Sequence, residues 1–132
     1  MDTGIILQRM LVAALRSSVL LREQGVGIFD GAPPSVAPPY LTVGRESVLD
    51  WGWKGGGGRE HRFEIGLWHV DPALSASKTL LAEAVDAALA MPRAGDGVRL
   101  VMLRHLRSDV RRRPGKWTEG AALFRALVVK ED

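Results

Sequence analysis

The side chains best suited to chemistry in this sequence are three histidines, His61, His69 and His105, and a few carboxylates near them. Catalysis by a nucleophile needs a base and an orienting group within hydrogen-bond reach. All three histidines fall inside apolar alternation that reads as strand, and none stands in a glycine-flanked loop beside a serine or a carboxylate pair. On a straight strand His61 and His69 lie about 26 Å apart, too far to share one metal ion. His69 stands near Asp71 as one polar pairing, but a strand histidine satisfied by ordinary hydrogen bonds is the favoured reading. Glu60 and Glu64 sit along one strand, not facing each other as glycoside chemistry requires. No His and carboxylate spacing matches a metal motif. The chain reads as a non-enzyme without metal or cofactor.

Two further segments invite a binding role. Gly55-Gly56-Gly57-Gly58 resembles a phosphate-cradling loop only superficially. Such a loop leads into a helix N-terminus, whereas Arg59 onward reads as strand. Four glycines in a row lose maximal backbone entropy on ordering. The expectation is a hairpin tip, spanning Trp51, Trp53, Lys54, Gly55, Gly56, Gly57, Gly58 and Arg59, that orders against a partner. Alanines at Gly55–Gly58 should then leave folding intact. The second segment is the run Arg111-Arg112-Arg113-Pro114-Gly115-Lys116. Arg111, Arg112, Arg113 and Lys116 place four cations within six residues with no acid inside the turn. Such a cluster is either solvated or meets phosphates or an acidic surface.

The elements that position these residues follow from periodicity. Thr3 to Glu23 has a helical stripe of Leu7, Leu11, Ala14, Leu15 and Leu21, stopped by Gly25. Val26 to Asp30 reads as a short strand. Pro33-Pro34 and Pro38-Pro39 stiffen the connector to a second strand, Tyr40 to Trp51, in which Gly44 marks a bulge or a close approach. Arg59 to Val70 alternates, with His61, Phe63, Ile65, Leu67 and His69 on one face and Arg62, Glu64, Gly66, Trp68 and Val70 on the other. A second helix, capped by Ser75 or Ser77, runs to Met91 with Leu74, Leu81, Val85, Ala88 and Leu89 inward. Pro92 to Gly97 is a loop. Val98 to Val110 and Trp117 to Lys130 are strands joined by the basic turn, the last with Ala122, Phe124, Ala126 and Val128 on its core face. The expected fold is α+β: one domain, 1–132, of two helices packed on one face of an antiparallel β-sheet in the order α-β-β-β-α-β-β.

Composition fits one folded domain. The chain has 132 residues, 46% hydrophobic and 25% charged, which argues against disorder throughout. With Cys 0, disulfides, Fe–S clusters and thiolate zinc sites are excluded. Arg9, Arg16 and Arg22 break the longest apolar stretches, so no segment suits a membrane span, and no secretion signal is expected at the N-terminus. Charge is polarised: residues 93–130 carry 10 basic and 3 acidic side chains, against 8 and 10 over residues 1–92. A basic C-terminal third suits an acidic partner or nucleic acid. A small basic nucleic-acid-binding module is therefore the alternative reading, but Val98–Val110 interleaves no aromatic for base stacking. Trp51, Trp53, Trp68 and Trp117 are numerous for so small a core, and interfaces are enriched in such residues.

Taken in order, the motifs resemble a known family. They are Gly27-Ile28-Phe29-Asp30-Gly31, Pro39-Tyr40-Leu41-Thr42-Val43-Gly44, Asp50-Trp51, the glycine gap, and Glu60-His61-Arg62-Phe63-Glu64-Ile65-Gly66-Leu67-Trp68. The helix with Ala82-Glu83-Ala84-Val85 follows, then Val101-Met102-Leu103-Arg104-His105-Leu106 and Ala122-Leu123-Phe124-Arg125-Ala126-Leu127. Over nearly its full length the chain is similar to the tail-completion, or tail-terminator, proteins of long-tailed bacteriophages and phage-like gene transfer agents. The resemblance implies a structural virion protein that assembles in the bacterial cytoplasm as a homo-hexameric ring. That ring would sit at the head–tail junction, cap the head-proximal end of the tail tube and stop tube polymerisation. Its implied partners are the major tail tube protein, the head–tail connector (neck) protein, and DNA passing without sequence readout; no membrane is implied. On this reading the glycine hairpin contacts the tube, and the basic turn meets the channel DNA or an adjoining ring.

Overall fold

The computed structural model describes residues 2–31, 35–51 and 57–131. Its elements are α1 (Thr3–Arg16), α2 (Val19–Glu23), β1 (Gly27–Asp30), β2 (Tyr40–Val43), β3 (Glu46–Asp50), β4 (Gly58–His69), α3 (Ser75–Leu89), β5 (Ala94–Gly95), β6 (Val98–Arg112) and β7 (Thr118–Lys130). A 3-10 turn, Pro114–Lys116, links the last two strands. The class is α+β, as expected, but with three helices and a mixed sheet of seven strands instead of two helices and an antiparallel sheet of five.

The extra helix comes from a break in the first one. Ser17 ends α1, and Ser18 starts α2 by accepting a hydrogen bond from the Leu21 amide (3.3 Å) and donating one to Glu83 Oε1 (3.1 Å). Adjacent serines compete with the helical backbone for hydrogen bonds, which ends the helix where periodicity alone would carry it on. Leu7, Leu11, Leu15 and Leu21 are still all buried, so both pieces serve the same stripe.

The mixed character comes from the proline-rich link. β1 pairs with β2 in parallel, Gly27↔Tyr40 to Asp30↔Val43. A hairpin needs only two to five connecting residues. Nine residues separate β1 from β2, enough chain for β2 to start beside the beginning of β1 and run in the same direction. Pro38–Pro39 is a cis peptide, while the expectation for Pro33-Pro34 falls outside the described residues.

The expected strand Tyr40–Trp51 is divided into β2 and β3, which lie end to end along one side of β4. Between Thr42↔Gly66 and Glu46↔Phe63 the β2–β3 side advances four residues while β4 advances three. That extra residue is a bulge, located where Gly44 adopts φ +119°, a conformation open chiefly to glycine.

The sheet runs β1-β2-β4-β7-β6-β5, with β3 also beside β4. β4 and β7 are its spine, paired antiparallel from Gly58↔Val129 to His69↔Thr118. On one face His61, Phe63, Ile65 and Leu67 of β4 meet Ala122, Phe124, Ala126 and Val128 of β7, all at 4% exposure or less. Phe63 and Phe124 stack with centroids 5.1 Å apart. The helices cover this face, and α3 buries Leu80, Leu81, Ala84, Val85 and Ala88 against it. Leu74, expected in that stripe, instead precedes the helix at φ +65°. Neither Ser75 nor Ser77 caps α3. Asp71 does so from outside, accepting from the amides of Ala73 (3.0 Å), Ala76 (2.8 Å) and Ser77 (3.1 Å). The opposite sheet face carries Glu60, Arg62, Glu64, Trp68, Leu123, Arg125 and Leu127 and has no helix over it.

One expectation about the glycine run changes here. A Cβ on Gly58 would collide with the Trp51 carbonyl oxygen, whereas one on Gly57 meets only Lys130 Cβ at 3.6 Å. Gly58→Ala is expected to lower stability by about 1–3 kcal/mol, the range for overpacking. Gly57→Ala should stay within about 0.5 kcal/mol. Urea unfolding of both variants checks this; equal midpoints would refute the close contact at Gly58.

Candidate functional site

The basic turn is less bare than its sequence suggests. β6 extends through Arg112, so Arg111 stands directly opposite Glu119 of β7. Arg111 Nε lies 3.2 Å and Arg113 Nε 3.5 Å from the same Glu119 Oε1. Arg112 points to the other face, where its guanidinium donates to the carbonyls of Asp71 and Pro72 and to Thr118 Oγ1 (2.9 Å). It therefore ties the β6–β7 hairpin to the start of α3. Of the four cations, Lys116, at φ +72°, has no ion-pair partner among the described residues. No acid lies inside the turn itself; Glu119, just past it, is brought beside two of its arginines by strand register.

Beside this turn four aromatic rings form a chain on the helix-free face. Phe29 meets Tyr40 edge-on at 6.0 Å, Tyr40 meets Trp117 at 6.4 Å, and Trp117 meets Trp68 at 6.1 Å. All four are half-buried. The sequence offered no single signal for this cluster, because its members come from β1, β2, β4 and the residue before β7. Edge-to-face packing joins the rings to each other.

Farther along the same face, Arg62, Arg125 and Arg104 stand in one row across β4, β7 and β6. Like charges directly opposite one another destabilise a sheet. Glu60 offsets this: its Oε1 lies 2.8 Å from Arg125 and its Oε2 3.2 Å from Arg62. The hydrogen bond from Arg125, followed by that from Arg62, holds the Glu60 carboxyl below its ordinary pKa.

The glycine hairpin closes as a β3–β4 hairpin, with the Trp51 amide donating to the Gly58 carbonyl (3.2 Å). Arg59 lies 3.3 Å from Asp50. Trp53, Lys54, Gly55 and Gly56 lie outside the described residues. Trp51, Gly57, Gly58 and Arg59 are at one end of β4, and the basic turn is at the other.

The structure also assembles a constellation that the sequence reading missed. His61, 0% exposed, has Nε2 3.0 Å from Thr3 Oγ1 and Nδ1 2.8 Å from Glu46 Oε2. Hydroxyl, imidazole and carboxylate in this order resemble a nucleophile, base and orienting acid. Thr3 is only 5% exposed, beneath the first turn of α1, so its hydroxyl offers no room for a substrate. The network satisfies a buried histidine and pins α1 to β3 and β4. The residues are far apart in sequence, so only the fold could reveal it. The His69–Asp71 pair, by contrast, is not formed as a hydrogen bond: His69 Nδ1 is buried with no hydrogen-bond partner among the described residues.

These features define a small α+β domain with a helix-covered sheet face and an open one that is rich in arginine and aromatic side chains. The chain belongs to the family described as Tail completion protein gp17, which it matches over residues 9–129. A solved chain from the virion of a native gene transfer agent particle shares its fold, with TM-score 0.78 and 29% identity over 90% of this chain and 91% of that one. No curated protein matches the sequence.

Two outcomes follow from the site's geometry. His61→Leu leaves Thr3 Oγ1 and Glu46 without their buried partner and should cost about 1–3 kcal/mol of stability in chemical denaturation; an unchanged midpoint would refute the pinning role. The Asp71 carboxyl is held below its ordinary pKa, first by the Ala73 amide and then by those of Ser77 and Ala76. A carboxylate lowered in the folded state contributes stability above its unfolded pKa, near 4, and loses it as pH falls through the folded value. Asp71→Asn should therefore be less stable than the parent at pH 7, with the gap closing below about pH 4. Thermal unfolding across pH 2–7 reads this, and a gap independent of pH would contradict it.

Proposed function

We propose that this chain is a structural virion protein, a tail terminator acting without catalysis. It assembles as a hexameric ring at the head–tail junction of a phage-like particle, caps the head-proximal end of the tail tube and gives the connector a docking face. The observation that carries this reading is the family match over residues 9–129. The likeness to a chain of a gene transfer agent virion supports it. The partners are further copies of the chain, the tail tube protein, the neck protein and DNA in transit.

The open surfaces suit such a role. A closed ring needs two different complementary patches on each subunit. The arginine row and aromatic chain lie on a face that no helix covers, and a protein that works alone has little use for such a surface. A nucleic-acid-binding module fits less well. The rings pack against each other, and Glu119 partners two of the turn's arginines. Trp51, Trp53, Lys54 and Gly55–Gly58 with Arg59 are assigned to the tube contact. Arg111, Arg113 and Lys116 are assigned to the channel or ring contact, while Arg112 holds the hairpin in place.

Particles lacking the chain are expected to make tail tubes of uncontrolled length without heads, visible by electron microscopy. Tubes of normal length joined to heads would overturn the terminator reading. Arg111→Ser with Arg113→Ser and Lys116→Ser should leave folding intact and reduce head joining or DNA delivery. Raised salt should mimic the effect, since exposed charges are screened within about 8–10 Å. Normal delivery would return the turn to an ordinary solvated loop.

A further inference from the structure

The sheet ends in two open strand edges. β6 runs from Val98 to Arg112, yet β5 pairs only with Val98 and Arg99. From Val101 onward the outer backbone groups of β6 have no strand beside them among the described residues. β3 is the other case. It pairs with β4 on one side, β1 pairs only with β2, and all five β3 residues are exposed. An unpaired edge of this length is a template for another strand.

The two edges lie at the same level of the molecule. Glu46 aligns through Phe63 and Phe124 with His105, and Asp50 through Arg59 and Val128 with Leu100. There the sheet is four antiparallel strands wide, β3-β4-β7-β6. Because alternate strands reverse, β6 runs opposite to β3. Copies related by rotation in a ring keep their strand directions, so β6 of one meets β3 of the next antiparallel, and the ladder continues without a change of sense.

Charge and hydrophobicity favour this pairing over others. β6 carries five arginines and one aspartate, whereas β3 carries two acids, Asp50 exposed and Glu46 held by His61, and no cation. A two-fold contact of β6 with β6 would set like charges against each other. Among the described residues, four of the eight large exposed hydrophobics lie on these two strands: Val48 and Leu49 on β3, Val101 and Leu106 on β6.

We infer that the outer edge of β6 adds to the outer edge of β3 in a second copy of this chain, joining neighbouring sheets into one. The inference rests on the ring reading and specifies its contact. It takes two different edges per copy, which gives the head-to-tail geometry a closed ring requires.

The chain has no native cysteine, so paired cysteines report the contact directly. Leu49→Cys is combined in turn with Met102→Cys, Arg104→Cys and Arg107→Cys, which share the sheet face of Leu49 across the β6 register shift. Under mild oxidation at least one pairing should give a ladder of covalent oligomers on a non-reducing gel, ending at the ring, and the single-cysteine variants should give none. Circular dichroism establishes that each variant is folded. Rings in electron micrographs with no ladder from any pairing would overturn the edge contact and leave the ring reading standing. Dimers from Arg107→Cys alone would place β6 against β6 and overturn it as well. A chain that stays monomeric in solution and in the particle would refute both readings.

Discussion

β4 and β7 pair without interruption from Gly58↔Val129 to His69↔Thr118, and the rest of the molecule is arranged around that ladder. Side chains alternate across it, so its register decides at once what is core and what is surface. Phe63 against Phe124, with small alanines at 122 and 126, makes one face flat enough for helices to lie on. The same register brings Arg62 opposite Arg125, with Glu60 between them and Trp68 near Trp117. A shift of one residue would turn the arginines into the core and the phenylalanines out to water. Core and open face are therefore two readings of one constraint.

The peripheral elements are held to this spine by polar contacts that are each specific to one place. His61 connects the start of α1 to β3 through Thr3 and Glu46. Asp71 caps α3 at the far end of β4, and Arg112 reaches across from β6 to the carbonyls of Asp71 and Pro72. Both ends of the β4–β7 ladder are thus fastened to a helix N-terminus. This leaves the helix-free face and the two strand edges for contacts outside the chain.

Strand alternation and helical stripes were legible because burial has a period. Arg59–Val70 and Ala122–Val128 stood out for that reason, and the class α+β followed. Direction was not legible: nothing in Val26–Asp30 says whether its neighbour runs parallel, and only the span of the proline-rich link explains it. Ser17-Ser18 hid a helix break because one of the Ser18 hydrogen bonds goes to Glu83, distant in sequence. The basic turn was visible, but the pairing of its Arg111 and Arg113 with Glu119 was not, since placing the strand end at Val110 left Arg111 outside the ladder. The Thr3–His61–Glu46 network could not be read at all. Its three residues have no mutual spacing until α1, β3 and β4 meet.

The central claim is that this domain works as a closed ring built through its open edges and face. Native mass measurement of the purified chain tests it most directly. Each subunit has a mass of 14.4 kDa. The account predicts one dominant species at six times that value, persisting on dilution as an interface of about 1,600 Å² per contact allows. A chain that remains at its monomer mass, both at high concentration and when released from assembled particles, would contradict it.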